Sequence, residues 1–334
     1  MSFPPSRSAP APVRLRTALV AAVTVVAVAT IGCDTQRRDA RNADSPSSIG
    51  SAKSEVPVAA DSNASAIVVR DDFGGTVALA PIPQRVVSLN PTTTELIFAL
   101  GGEARVVGRS RWDEWPSAAK QVPALGDALR PSIERVLAAR PDLVVLYATP
   151  NNRPAYDRLR AAGIRAVGLR IDHIAQFERA ARLLGRMLGR AAAGEQVADS
   201  VAATLDRVRS ATRNLPRPSV VWPVSASPPI VIGGGSYMSE LIDIAGARNV
   251  YGTMPAPSPV VSIEDVVARN PDIVIRGGDD NPSSAWSTTW SVVPAVRAGH
   301  VVRVSTELVS RPSVHLGEAA VALARALHPE AVIP

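Results

Sequence analysis

Residue types that usually carry out catalysis or bind metals are sparse in this chain and lack the spacing that such sites require. The histidines, His173, His300, His315 and His328, are scattered, so no metal site is predicted. The stretch VIGGGSYMSE is rich in glycine but lacks the Lys-Ser/Thr pair of a phosphate-binding loop. It predicts a tight turn from strand to helix, with Ser236 near a cleft.

No nucleophile-elbow signature is present either, although a catalytic triad assembled only in space stays open. The motifs therefore do not predict catalysis, and no cofactor is expected. With 334 residues, 46% hydrophobic and 20% charged, the chain can bury the cores of about two domains.

Half of the chain's formal charge of +6 comes from Arg7, Arg14 and Arg16. No dense basic cluster with interleaved aromatic residues occurs, so nucleic acid is not an expected partner.

The N-terminal segment, residues 1–33, has the features of an export signal. The three arginines precede an apolar run, Ala18 to Gly32, that is shorter than the roughly 20 residues of a membrane-spanning helix. Cys33, the sole cysteine, follows directly and resembles the acylated first residue of a bacterial lipoprotein, although Thr30 stands where that motif usually has an aliphatic residue. Ordinary cleavage nearby with an incidental cysteine is the alternative. The polar residues 34–66 are predicted to be a flexible tether.

The remaining chain alternates strand and helix patterns, which is typical of parallel α/β architecture. Residues 67–173 are predicted to form a first α/β lobe and residues 215–334 a second. Between them, residues 174–214 are almost wholly helical in composition, and a helix from about 191 to 213 is long enough to span both lobes. The predicted fold is thus two α/β lobes with central parallel sheets, one long bridging helix and a ligand cleft between the lobes.

One element occurs twice, which supports the two-lobe interpretation. SIERVLAARPD, residues 132–142, returns 130 residues later as SIEDVVARNPD. Ser132 and Ser262 have the character of helix N-caps, and a proline followed by an aspartate leads each copy into a buried strand. The two copies are therefore predicted to occupy equivalent positions in the two lobes.

The blocks RVVSLNPTTTELIFALGG, VVGRSRWDEWPSAAK, SIERVLAARPDLVVLY and VVSIEDVVARNPDIVI together resemble the helical-backbone substrate-binding proteins of bacterial ABC importers. This group binds cobalamin, iron-siderophores or haem. The resemblance covers about residues 67 to 330, and the blocks occur in the same order as in the family. It implies a receptor without catalytic activity that captures a large ligand between its lobes and delivers it to a membrane permease.

The resemblance also implies a set of ligand-binding residues, in which aromatic faces would stack on a flat macrocycle. Trp112, in WDEWP, and Tyr147 stand where the cobalamin binders have cleft aromatics. Cobalamin is therefore the predicted ligand. Ala128 and Ser258 replace two further tryptophans of a cobalamin binder, so an anionic siderophore, or haem, is the alternative. Arginines that could meet such an anion are Arg109, Arg111, Arg130, Arg276 and Arg311. The full predicted set is Asn90, Trp112, Tyr147, Trp222, Ser236, Arg276, Glu307 and Arg311.

The resemblance further implies that Glu134 and Glu264, one in each copy of the repeat, dock the receptor on the two subunits of a permease dimer that works with an ATPase. A local role is the alternative, because a carboxylate on the first turn of a helix is stabilised by the helix dipole. The protein is expected to be a monomer. A lipoprotein that senses its ligand without transporting it stays open.

Overall fold

The computed structural model describes residues 67–278 and 286–333. The predicted signal segment with Cys33 and the predicted tether lie outside the described residues. In the part of the chain that is described, no helix has both the length and the apolar character needed to cross a bilayer.

The first lobe is built on a four-stranded parallel sheet in the order β4-β3-β5-β6, preceded by an antiparallel hairpin of β1 and β2. Strands β3, VVSL, and β6, AVGL, are buried along their whole length, as expected for parallel strands covered on both faces. The elements of this lobe are β1 (Ile67–Arg70), β2 (Thr76–Leu79), β3 (Val86–Leu89), α1 (Pro91–Ala99), β4 (Val106–Arg109), α2 (Ile133–Ala138), β5 (Leu143–Tyr147), α3 (Arg153–Ala161) and β6 (Ala166–Leu169).

Two helices, α4 (Ile174–Met187) and α5 (Ala191–Thr212), connect the lobes. The two helices pack closely because Gly185 and Gly194 have no side chains at their crossing. A Cβ on Gly185 would lie only 2.9 Å from the Cα of Gly194. The buried residues of α5 recur every three or four positions and form one stripe: Gly194, Ala198, Val201, Leu205, Val208 and Thr212. Helix α5 packs on α4, which contacts α1 and β1 of the first lobe, and α5 also contacts helices of the second lobe. The predicted bridging helix is therefore present and spans about 33 Å.

The second lobe repeats the topology of the first, with a parallel sheet in the order β10-β7-β11-β12 and a separate antiparallel hairpin of β8 and β9. Its elements are β7 (Ser219–Val221), β8 (Pro223–Ala226), β9 (Pro229–Val231), α6 (Tyr237–Ile244), β10 (Arg248–Asn249), α7 (Ile263–Arg269), β11 (Ile273–Gly277), α8 (Trp286–Thr289), α9 (Pro294–Arg297), β12 (Val301–Val304), α10 (Thr306–Val309) and α11 (Leu316–Leu327). Helices α6 and α11 are the ones that pack on α5. The predicted fold class is confirmed.

The two copies of the repeated element are α2 and α7, each leading into the third strand of its sheet. Ser132 Oγ accepts from the Arg135 N–H at 3.4 Å, and Ser262 Oγ accepts from the Asp265 N–H at 3.1 Å, so both serines are N-caps. Both helices end before the proline, because the residue that precedes it, Arg140 or Asn270, adopts a left-handed backbone conformation.

The aspartate that closes each copy fastens the repeat to its sheet. Asp142 accepts hydrogen bonds from the backbone N–H groups of Gln84 (2.8 Å) and Arg85 (3.0 Å), directly before β3. Asp272 accepts from the N–H (2.7 Å) and the hydroxyl (2.6 Å) of Ser219, the first residue of β7. The sequence repeat thus encodes one structural joint that is used in both lobes.

Candidate ligand-binding cleft

A cavity of about 410 Å³ lies between the lobes, a volume typical of small-molecule sites. The first lobe contributes the segments at the carboxyl ends of β3, β4, β5 and β6, where ligands of parallel α/β sheets usually bind. The second lobe contributes the start of α6 and the segment after α10, including Ser310 and Pro312. The two sheets therefore present opposite walls of one cleft.

Five of the eight predicted ligand-binding residues line this cavity: Asn90, Trp112, Tyr147, Ser236 and Arg311. Asn90 and Ser236 also begin helices. Asn90 Oδ1 accepts from the Thr92 N–H at 2.9 Å, and Ser236 Oγ accepts from the Met238 N–H at 3.2 Å. Helix capping therefore places these two polar residues at the N-termini of α1 and α6, where Asn90 lines the cleft from the first lobe and Ser236 lines it from the second.

The structure places the other three predicted residues elsewhere. Trp222 is buried in the core and borders a neighbouring cavity of about 440 Å³, which shares Ser236 and Tyr237 with the cleft. Arg276 is half-buried on β11 and does not line the cleft. Glu307 is exposed on α10 and does not line it either.

The WDEWP turn is held by a buried acid. The Asp113 carboxylate accepts hydrogen bonds from the Thr94 hydroxyl (2.5 Å), the Ser110 N–H (3.1 Å) and the Ser110 hydroxyl. Burial raises the pKa of Asp113 in spite of these donors. On one side of this anchor, Trp112 is 56% exposed at the cleft. On the other side, the Trp115 ring meets His315 of the second lobe edge to face, with centroids 5.6 Å apart.

Tyr147, at the end of β5, donates its phenolic hydrogen to Asp172, which also lines the cleft. Burial raises the pKa of the Tyr147 phenol, and the hydrogen bond and charge of Asp172 raise it further. The phenol therefore keeps its proton at physiological pH.

A buried ion pair joins the two lobes beside the cleft. Glu95, on α1, is 2% exposed and accepts hydrogen bonds from Arg311 Nε (2.8 Å) and from the Val314 N–H (3.2 Å). Burial raises the pKa of the Glu95 carboxyl, and the opposing charge of Arg311 offsets only part of that effect. Because Arg311 is committed to Glu95, its charge in the cleft is largely neutralised.

A second set of interlobe contacts lies where α4 begins. The backbone carbonyl of Asp172 accepts from the Tyr237 N–H at 2.7 Å. Glu240, on α6, is 2.5 Å from His173 Nδ1 and accepts from the Ile174 N–H at 3.0 Å. A side chain of the second lobe thus caps a helix packed on the first.

Several residues at the site were not singled out by the sequence. They are Glu95, Asp113, Asp127, Asp172 and Tyr237. Glu95 belongs to the polar run TTTE, whose burial on α1 is visible only in the structure, so no sequence signal pointed to it. The acids after β4 and β6 carried no local signal, since polar loop residues are ordinarily solvated.

The arginines considered for an anionic ligand are mostly engaged in the structure or distant from the cleft. Arg109 donates to the backbone carbonyls of Val122 and Ser110. Arg111 pairs with Asp127, and Arg130 is exposed outside the cavity lining. Among the described residues that line the cleft, the charged ones are Asp127, Asp172 and the paired Arg311.

The proposed docking glutamates are both exposed on the first turns of equivalent helices. The Glu134 carboxylate accepts from the Ser132 hydroxyl at 3.2 Å. The hydrogen bond of its own backbone N–H, followed by that of Ser132, lowers the pKa of Glu134. Among the described residues, no cluster of three or more His, Cys, Asp or Glu side chains is arranged to hold a metal ion.

Comparison with known proteins places these features in a family context. The family model described as "Periplasmic binding protein" matches residues 86–308. The vitamin B12-binding protein of Vibrio parahaemolyticus is 24% identical over 242 residues, covering 71% of this chain and 86% of that protein. The vitamin B12-binding protein of Yersinia pestis is 27% identical over 212 residues, covering 62% of this chain and 75% of that protein.

Solved structures share the fold. The periplasmic vitamin B12-binding protein of Vibrio cholerae superposes with a TM-score of 0.67 at 20% identity, covering 74% of this chain and 98% of that one. A periplasmic haem-binding protein of Pseudomonas aeruginosa superposes with a TM-score of 0.65 at 26% identity, covering 75% and 94%. These relatives are solute-binding proteins, so the prediction of a binding protein rather than an enzyme is confirmed.

Proposed function

The chain belongs to the periplasmic binding protein family, and we propose that it is a cobalamin receptor that delivers its ligand to an ABC importer. Family membership makes it an exported solute-binding protein. The choice of ligand and the delivery step are our proposals. They are supported by the chemistry of the cleft and by relatives that are vitamin B12-binding proteins.

The charge of the cleft is the observation that carries the choice of ligand. Its described lining offers the carboxylate of Asp172, whereas the charge of Asp127 is paired with Arg111 and that of Arg311, the one guanidinium, is paired with Glu95. Carboxylates accept hydrogen bonds and repel anions. The periphery of a corrin ring carries amide groups that can donate to the Asp172 carboxylate, whereas haem propionates and catecholate siderophores are anionic and would be repelled by it. Trp112 adds an aromatic face for the ring.

Haem is the second candidate, because a haem-binding protein is among the structural neighbours. A tyrosine can ligate ferric iron once it loses its proton. Tyr147 is the described tyrosine best placed for that role in the cleft, but it donates to Asp172 and its pKa is raised. This arrangement favours a ligand that needs no tyrosinate.

Anchoring and docking complete the proposal. Acylated Cys33 would hold the protein at the membrane, and residues 34–66 would serve as the tether to the binding lobes. Glu134 and Glu264 are exposed at matching places in the two lobes, so each could meet one subunit of a two-fold permease. A sensor that captures the ligand without delivering it would not need this symmetry.

Ligand titration tests the proposal. Purified full chain is titrated with cyanocobalamin, haemin and a ferric siderophore, followed by calorimetry and by tryptophan emission. We expect cyanocobalamin to bind with 1:1 stoichiometry and at least tenfold more tightly than the two iron ligands, an advantage of about 1.4 kcal/mol. Tighter binding of haemin would reverse the assignment. Native mass spectrometry of protein from its own host identifies what co-purifies and provides an independent check.

A further inference from the structure

The Trp112 side chain is more than half exposed, yet neighbouring charged groups hold it on two sides. Its indole Nε1 donates to Asp127 Oδ2 at 2.9 Å, and Arg111 Nη2 donates to the same oxygen at 2.7 Å. The Arg111 guanidinium also lies over the Trp112 ring, 4.8 Å from its centroid. One carboxylate and one guanidinium thus fix both the edge and one face of the indole.

The acid that holds the indole is itself fixed. Asp127 Oδ1 accepts from the Leu129 N–H at 2.9 Å, and the carbonyl of Gly126 accepts from the Arg111 N–H at 2.8 Å. Gly126 has φ +135, and a Cβ there would lie 2.8 Å from the backbone nitrogen of Ser132, so only glycine fits where the loop passes close to the start of α2.

The loop is also tied to the strand that carries Tyr147. The buried amide of Asn152 donates to the carbonyl of Ala128 at 2.8 Å and to the carbonyl of Tyr147 at 3.0 Å. The two aromatic residues of the first lobe's cleft wall therefore share one support.

We propose that Arg111 and Asp127 are positioning residues that hold the Trp112 indole in its stacking orientation before any ligand arrives. Arg111 does not line the cavity, so it covers the ring face directed away from the cleft and leaves the other face to the ligand. A side chain that is ordered in advance loses no rotamer freedom on binding, which improves affinity without adding a contact. The inference rests on the proposed function only for the identity of the stacked ligand.

A double-mutant cycle separates positioning from direct contact, which matters because Asp127 also lines the cavity. Asp127→Ala should raise the Kd for cyanocobalamin roughly 2- to 12-fold, the effect expected from freeing one side chain. The same change made in a Trp112→Ala background should have no further effect, and Arg111→Met should behave alike. Asp127→Asn keeps an oxygen acceptor for the indole and should restore most of the affinity. An Asp127→Ala penalty that is undiminished without Trp112 would overturn the proposal.

The chain offers a matched control outside the cleft. Arg269 lies over the Tyr251 ring at 4.4 Å and pairs with Asp265, which accepts from the Tyr251 hydroxyl at 2.7 Å. Arg269→Met removes the same kind of cation from the same kind of aromatic–carboxylate pair. It should leave the Kd for cyanocobalamin unchanged, and a penalty equal to that of Arg111→Met would count against the proposal.

A measurement without ligand makes the inference independent of the proposed function. The indole N–H resonance of Trp112 is assigned by its loss in Trp112→Phe, and its ¹⁵N order parameter is measured in ligand-free protein. We expect a rigid indole in the wild type and a lower order parameter in Asp127→Ala. Equal rigidity in both would refute the positioning role. A wild type that is rigid but fails to bind cyanocobalamin would refute only the proposed ligand.

Discussion

Arg311 of the second lobe donates to Glu95 of the first across 216 positions of sequence, with Nη2 at 2.7 Å and Nε at 2.8 Å from the same carboxylate oxygen. Glu95 is almost wholly buried and Arg311 is 18% exposed. Their contact fastens α1 to the segment between α10 and α11 and withdraws a positive charge from the cleft. The same pair therefore bears on the stability of the protein and on the proposed choice of ligand.

Removing the guanidinium should destabilise the ligand-free protein strongly. Arg311→Ala leaves the Glu95 carboxylate buried without its ion-pair partner, and such losses amount to about 3–5 kcal/mol of unfolding free energy. Urea denaturation at neutral pH measures the effect. Arg217→Ala is the control, because its pair with Asp243 is exposed and should contribute less than about 1 kcal/mol. Similar losses in both variants would show that the pair is effectively solvated.

The raised pKa of Glu95 predicts a definite pH dependence. Because the folded protein holds this proton more tightly than the unfolded chain, where the pKa is near 4.5, the contribution of Glu95 is fully present below that value. It is lost as pH rises through the folded-state pKa. The stability of the wild type relative to Glu95→Gln should therefore decrease from about pH 4 upward, as measured by urea unfolding over a pH series. An increase would mean that Arg311 outweighs burial.

Trp112 should provide stacking energy to a bound macrocycle. Trp112→Ala should weaken cyanocobalamin binding by about 1–3 kcal/mol through lost apolar contact, and it should reduce the quenching of tryptophan emission on binding. Trp290→Phe, a change in the buried core outside the cleft lining, should leave the affinity near that of the wild type. Calorimetry supplies both affinities. Equal affinities for Trp112→Ala and the wild type would be incompatible with stacking.

The paired glutamates should act in transport and not in ligand capture. Glu134→Arg combined with Glu264→Arg should abolish ligand uptake by cells while leaving the fold and the Kd nearly intact, and each single change should be partly defective because one anchor remains. Glu103→Arg with Glu330→Arg changes two other exposed positions by the same charge and should support normal uptake. Wild-type uptake by the first double variant would leave the glutamates as helix-start residues only.

Cys33 should determine where the mature protein is found. Cys33→Ser removes the thiol that would be acylated, so the protein should move from the membrane fraction to the soluble periplasmic or culture fraction. Immunoblots of fractionated cells measure the distribution, with Cys33→Ala as a second thiol-free variant. Retention of both variants in the membrane fraction would contradict anchoring through Cys33.

The sequence alone determined the features of this protein that depend on neighbouring residues. Continuous apolar runs such as VVSL predict buried strands, the spacing of apolar residues predicts α5, and the serines of the repeat predict two helix starts. Each of these patterns depends only on residues that are close together in the sequence, so it can be recognised without knowing how the lobes pack. The repeat extends this local information to the architecture, because two copies of one joint imply two similar lobes.

The tertiary structure decided which of the candidate residues share a site. Trp112 and Trp222 both follow strands, yet the first lies in the cleft and the second in the core. Glu95 meets Arg311 only because the lobes dock across α5, and no local pattern records a pairing over 216 residues. The charge of the cleft follows from that pairing. Contacts between distant segments depend on how whole sheets and helices pack against each other. Local sequence patterns do not specify that packing, so they cannot predict such contacts.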